Sequence, residues 1–113
     1  MEAVPYKFFW DEKKDDKGRE IALLRGYKAG DPLLMVYEST IAWHANDMQL
    51  LEDLYRKFNI EHPVDYHGPS MSVGSVINLA GKWYACMPFG FESVEPPKEE
   101  QLVVYPSEEV IEE

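Results

Sequence analysis

The chain is short of several things, and each shortage closes a class of explanation. One cysteine, Cys86, stands among 113 residues, so no intramolecular disulfide can form and nothing points to an oxidising compartment. No stretch approaches the roughly 18 apolar residues of a membrane-spanning helix. The opening "MEAVPYKFFW" has an early acid and none of the long apolar run of a signal peptide. Basic residues are few, 11 against 21 acids, for a net charge of −10. Affinity for a polyanion comes mainly from clustered lysine and arginine, so direct nucleic-acid binding is disfavoured. Even the lysine-rich "DEKKDDKGR" is neutralised by its own acids and reads as an exposed turn. The glycines form neither G-x-x-x-x-G-K-[ST] nor G-x-G-x-x-G, which removes the usual phosphate cradles. A soluble protein of a reducing cytoplasm, with no membrane association, is the expectation.

What is present is a core. The chain is 45% hydrophobic and 13% aromatic, enough at this length for one domain that folds without staples. The charge is uneven: residues 95–113 hold seven acids against Lys98, a net of −6, leaving −4 for residues 1–94. The expected organisation is therefore a single domain over 1–94 and an acidic tail over 95–113. "EPPKEE" reads as a linker, "QLVVYP" suits an edge strand at 102–105, and "SEEVIEE" is expected to be disordered.

Periodicity places the other elements. "YKFFW" (Tyr6–Trp10) and the apolar run Leu33–Glu38 predict strands. "REIALLRGY" is balanced between a strand and a short helix capped by Gly26. In "NDMQLLEDLYRKFNIEHP", Asn46 is a suitable N-cap with Gln49 in the capping-box position. Leu51, Leu54, Tyr55 and Phe58 follow at the spacing of one helical face. Glu52 and Asp53 can pair with Arg56 and Lys57 one turn on. Asn59 suits a left-handed C-terminal cap and Pro63 forbids continuation, so a helix over Asp47–Phe58 is predicted. Ser75–Leu79, a tight turn at Ala80–Gly81, and "KWYACM" predict a hairpin, with "FGFESV" extended after it. The fold class is α+β: a small, mostly antiparallel sheet of about four to six strands on one main helix.

The residues that could carry chemistry do so weakly. His62 and His67 flank Asp65, with His44 upstream, but a metal needs three or four convergent ligands, and two histidines five apart in a Pro/Gly loop do not share a helical face. Cys86 alternates with aromatics inside a strand, where a thiol behaves as a small core residue. Ser70, Ser72 and Ser75 lack a nucleophile elbow and read as turn-forming hydroxyls. Trp83, Tyr84, Phe89 and Phe91 read as core aromatics, because stacking platforms for bases sit in positively charged grooves. No catalytic residue, metal or cofactor is assigned, and the expectation is that the chain is not an enzyme.

One segment has a more specific likeness. "LEDLYRKFNIEHPVDYHGPSMSVGSVINLAGKWYACMPFGFESV", Leu51 to Val94, resembles the YodL-like domain. The matching positions are Leu51-Glu52-Asp53-Leu54-Tyr55, Phe58-Asn59, His62-Pro63, Asp65-Tyr66, Gly68, Ser70, Ser72-Val73, Val76-Ile77, Trp83-Tyr84, Gly90-Phe91 and Val94. Ser75 departs from the acid often found before the Val-Ile pair, so any contact that acid makes is expected to be lost; Trp83 for a tyrosine is a milder change. The resemblance implies context more than chemistry. Such domains occur in phage and conjugative-element proteins, often beside antirestriction modules, and in small bacterial proteins, one of which antagonises an actin-like cell-shape factor. No catalytic residues can be carried over.

The expectation for function is a phage or mobile-element protein that binds and modulates a bacterial host protein, with His62, Asp65, Tyr66 and His67 of the helix-to-strand loop as candidate contacts. The alternatives are an acidic DNA mimic of the antirestriction kind, and a small barrel-like nucleotide- or RNA-binding module with a site from His44, His67 or Cys86.

Overall fold

A computed structural model describes residues 2–103. The elements run β1 (Ala3–Asp11), α1 (Ala22–Arg25), β2 (Leu33–Ala42), α2 (Asp47–Ile60), β3 (Val76–Leu79), β4 (Lys82–Met87), β5 (Gly90–Ser93) and β6 (Leu102–Val103), with a 3-10 turn at Glu99–Gln101. The fold is α+β, six strands in the order β5-β4-β3-β1-β2-β6. Four of the five pairings are antiparallel, and β2–β6 is parallel. The sheet is therefore mixed, and it is curled.

β1 lies at the centre and reaches past the expected Tyr6–Trp10. It pairs with β2 from Ala3↔Ala42 to Asp11↔Leu33 and with β3 from Tyr6↔Leu79 to Phe9↔Val76. Pro5, which has no N–H to give a ladder, falls just beyond the β3 pairing, and its carbonyl accepts the Ala80 N–H. β2 likewise continues past Glu38 to Ala42, because the long partner strand pairs it throughout. α1 resolves the ambiguous segment as a helix closed by Gly26 (φ 87), whose N–H donates to the Ala22 carbonyl.

α2 ends at Ile60, beyond Phe58, with Glu61 and not Asn59 as its C-cap. Pro63 disfavours helical geometry in the residue before it, which sets the limit. Asn46 accepts the Gln49 N–H as expected, but the Gln49 side chain turns to Asp53 and does not close a capping box. No Glu52–Arg56 or Asp53–Lys57 bridge is among the salt bridges of the described residues. The buried face is Leu50, Leu51, Leu54 and Phe58. Tyr55 sits at its rim, edge-on to the Phe91 ring.

The two sheet faces bury separate clusters. Tyr6, Phe8, Ile77, Leu79 and Tyr84 pack against α2 together with Tyr66 and Met71. The opposite face carries Phe9, Leu33, Val76 and Ala85 with Tyr27, closed by Trp83, Met87, Val94 and Leu102. Residues 94–103 are thus a strap across the second face and not the start of a detached tail. Gln101 is buried and donates to the Tyr27 hydroxyl and the Asp31 carbonyl, both at 2.9 Å. The edge strand expected at 102–105 is present at Leu102–Val103; the remainder of that expectation and the "SEEVIEE" segment lie outside the described residues.

The opening of β3 is sealed by small residues. Ser75 is fully buried, and its hydroxyl accepts the Ser72 N–H at 3.0 Å. An oxygen acceptor is what that N–H requires, and here the serine supplies it. Gly74 (φ +98) has no room for a side chain: a Cβ would stand 2.9 Å from the Ala22 Cβ and from its carbonyl oxygen. Gly81, in the Ala80–Gly81 turn of the β3–β4 hairpin, is also left-handed (φ +92) but faces open space. Gly81→Ala should cost only the left-handed conformational penalty, about 1–2 kcal/mol. Gly74→Ala should cost clearly more, since backbone must also move. Urea denaturation of the two variants compares them directly; equal losses would show that the contact with α1 is slack.

Candidate functional site

The loop after α2 is built around one side chain. Tyr66 is buried, its ring 4.9 Å from Phe58, 5.5 Å from Tyr37 and 5.9 Å from Phe8 between centroids. The Tyr66 N–H donates to the Pro63 carbonyl and its hydroxyl donates to the Pro69 carbonyl. Burial pushes the Tyr66 phenol up to about 12, so it stays a neutral donor. Gly68 is dictated by this arrangement, because a Cβ there would lie 2.6 Å from the Tyr66 hydroxyl oxygen. The tyrosine expected as an exposed contact is instead a plug that draws the loop into the core.

Around the plug the other candidates separate. Asp65 is exposed, and its carboxylate accepts the Tyr37 hydroxyl from β2 at 2.8 Å. His62 is exposed, its ring edge-on to Tyr66 at 5.9 Å, and His67 is exposed beside it in sequence. Two aliphatic side chains that the sequence did not single out share this end of α2: Val64 is 96% exposed and Ile60 is 72% exposed. The signal that could have found Val64 is its place between Pro63 and Asp65, in a loop where an aliphatic residue has no periodic core partner. The outward set is therefore Ile60, His62, Val64, Asp65 and His67.

The residues of the alternative site do not converge. His44 precedes α2 and His67 follows it, separated by a 14-residue helix of roughly 21 Å. Cys86 is buried in β4, and burial together with the Glu52 charge pushes its thiol up to about 11, far from the thiolate a nucleophile needs. Among the described residues no three His, Cys, Asp or Glu side chains are grouped as a metal requires. Of the aromatics expected in the core, Trp83 packs at a tilt against Phe9 and Tyr84 is buried, but Phe89 is 99% exposed at the β4–β5 turn. A cavity of about 1030 Å³, open to solvent, lies elsewhere, between Tyr27, Ser93 and the strap residues Glu95, Lys98 and Gln101. No helix is long and apolar enough to cross a membrane among the described residues.

If Tyr66 is a plug, its variants follow core rules. Tyr66→Phe keeps the ring and loses one hydrogen bond, for about 0.5–1.5 kcal/mol. Tyr66→Ala should cost about 3–5 kcal/mol, the range for truncating a buried aromatic. Thermal denaturation of both variants tests this, and a mild Tyr66→Ala would return the residue to the surface.

Comparison with curated proteins returns no match, and comparison with solved structures returns none. The family profile for the YodL-like domain matches residues 21–95, which takes in α1 through β5 and the whole plugged loop. The chain belongs to the YodL-like domain family.

Proposed function

We propose that this chain is a non-enzymatic phage or mobile-element protein that binds a bacterial host protein and modulates it, working in the host cytoplasm. The observation that carries the reading is the division of labour in the loop after α2. Tyr66 and Gly68 fix the backbone, while Ile60, His62, Val64, Asp65 and His67 project from it. Two exposed aliphatic side chains flanked by polar groups have the composition of a small interface core with its rim. A chain with 21 acids against 11 bases supports a protein partner over a nucleic acid. The high proton affinity of the buried Cys86 thiol argues against thiol catalysis.

The test is quantitative capture from bacterial lysate by the tagged protein, with and without nuclease and at low and high salt. Wild type should retain one stoichiometric protein through all treatments. A double variant, Val64→Asp with Asp65→Lys, should weaken that binding at least about tenfold, a loss near 1.4 kcal/mol. Tyr66→Phe, which leaves the surface intact, should bind as wild type does. A partner held equally well by the double variant removes the loop from the interface. A partner released by salt but not by nuclease favours the DNA-mimic alternative, and one released by nuclease was bridged by nucleic acid and overturns the direct protein contact.

A further inference from the structure

A buried acid pair sits where β1 ends and the strap is fastened. Asp11 is 3% exposed and Asp31 is 6% exposed. Donor counting assigns their charge states. Asp31 accepts from both terminal nitrogens of the Arg25 guanidinium, at 3.0 and 3.2 Å, and from the Lys28 N–H at 3.1 Å. Asp11 accepts a single protein donor, the Lys13 N–H at 2.9 Å, on Oδ1. Its Oδ2 is buried with no donor among the described residues, and its side chain is within hydrogen-bonding reach of Asp31. Two neighbouring carboxyl groups out of water cannot both be charged at low cost. Donor counting favours the charge on Asp31, which is saturated, and the proton on Asp11, whose Oδ2 has no donor among the described residues.

We infer that this carboxyl pair is a proton-operated latch on the strap: the shared proton holds the Tyr27–Asp31 turn in place under Gln101, and its loss releases residues 94–103 from the second face of the sheet. The coupling is direct. Gln101 is held by the Asp31 carbonyl and the Tyr27 hydroxyl, and its own side-chain oxygen accepts the Lys98 N–H that closes the 3-10 turn. Facing the pair are the Arg25 guanidinium from α1, the Tyr27 hydroxyl and the Lys13 and Lys28 N–H groups, while the neutral Gln101 amide of the strap bonds the Asp31 backbone carbonyl. Arg25 is already engaged with Asp31 and the Gly26 carbonyl, so a second carboxylate there would find its nearest cation committed. Release would uncover Phe9, Leu33 and Val76 at the places where Val94 and Leu102 now cover them.

The direction of the pH effect follows. Burial, then the hydrogen bond with Asp31, pushes the Asp11 carboxyl up to about 7 from an ordinary 3.8. Burial opposes the charge on Asp31, but the proton on Asp11, the Arg25 fork and the Lys28 N–H outweigh it and hold that carboxyl below its ordinary value. A raised carboxyl stabilises the closed state below about pH 4, and that contribution is lost as pH rises to about 7.

Amide hydrogen exchange on the full chain, corrected for intrinsic rates, reads the latch residue by residue. Between about pH 5 and pH 7 the opening constant for the amides of Gln101, Leu102 and Val103 should rise roughly tenfold per pH unit and then level off, while α2 amides stay flat. Asp11→Asn, whose amide can donate to Asp31 at any pH, should abolish the rise. Strap exchange that is flat in wild type, a rise that survives in Asp11→Asn, or α2 loosening in step with the strap would each overturn the proposal; the first and last need no variant.

Discussion

Phe8 and Phe9 are consecutive residues of the central strand, both are buried, and a strand turns consecutive side chains to opposite faces. The sheet therefore needs two covers, and the chain supplies one helix long enough to be one. α2 takes the Phe8 face. The Phe9 face is closed by Tyr27 and by the strap that leaves β5 at one edge of the sheet and reaches β6 at the other. Five strand gaps of about 4.8 Å make roughly 24 Å flat. Nine residue steps from Ser93 to Leu102, three of them in a 3-10 turn, span only about 26 Å. With so little slack the strap fits a sheet whose edges curl towards each other. The curl, the parallel β2–β6 pair and the burial of Gln101 are then one solution to the second face.

The family match gains a physical meaning from this. It runs from residue 21 to residue 95, yet the strand that pairs with both β2 and β3 is β1, at Ala3–Asp11. The matched segment alone would leave β2 and β3 with facing, unpaired edges, a costly arrangement for backbone groups out of water. Any chain built on this segment must fill that slot, and here the residues before the match do it. Inside the match, the loop positions of the motif are explained by packing: Tyr66 fills the core, Gly68 makes room for it, and Pro63 accepts the Tyr66 N–H and ends the helix. These positions hold the scaffold, and the side chains between them are the ones that face outward.

How much of this was legible in the sequence varied with the kind of signal. α2 could be placed because capping and periodicity act within one segment, and the β3–β4 hairpin because Ala80–Gly81 is a local turn. Strand lengths were underestimated, since β2 extends to Ala42 only because β1 runs beside it. The strap was missed for a compositional reason: two prolines and several glutamates read as a linker, and the contribution of Gln101 depends on Tyr27 and Asp31, some 70 positions away in the chain. Tyr66 was misplaced because tyrosine suits an interface and a core equally, and the choice between them rests on contacts with Phe8, Tyr37 and Phe58 that no local pattern announces. The carboxyl pair was invisible, since no local rule brings Asp11 to Asp31.

Both ends of α2 are tied to the sheet by the same chemistry. At the start, Asp47 accepts the Tyr84 hydroxyl at 2.6 Å and the Lys82 ammonium at 3.0 Å, contacts that hold its carboxyl below the ordinary range. Its charge also lies in the first helical turn, where the macrodipole favours an anion. Past the end, Asp65 accepts the Tyr37 hydroxyl, and Tyr66 locks the loop against Phe58. Each tyrosine approaches its acid from a strand, β4 in one case and β2 in the other, so the helix is clamped at two points about one helix length apart. A loop fixed by a buried ring and a hydrogen-bonded acid has already given up freedom in folding, and under the proposed function that is ordering a partner would not have to impose again.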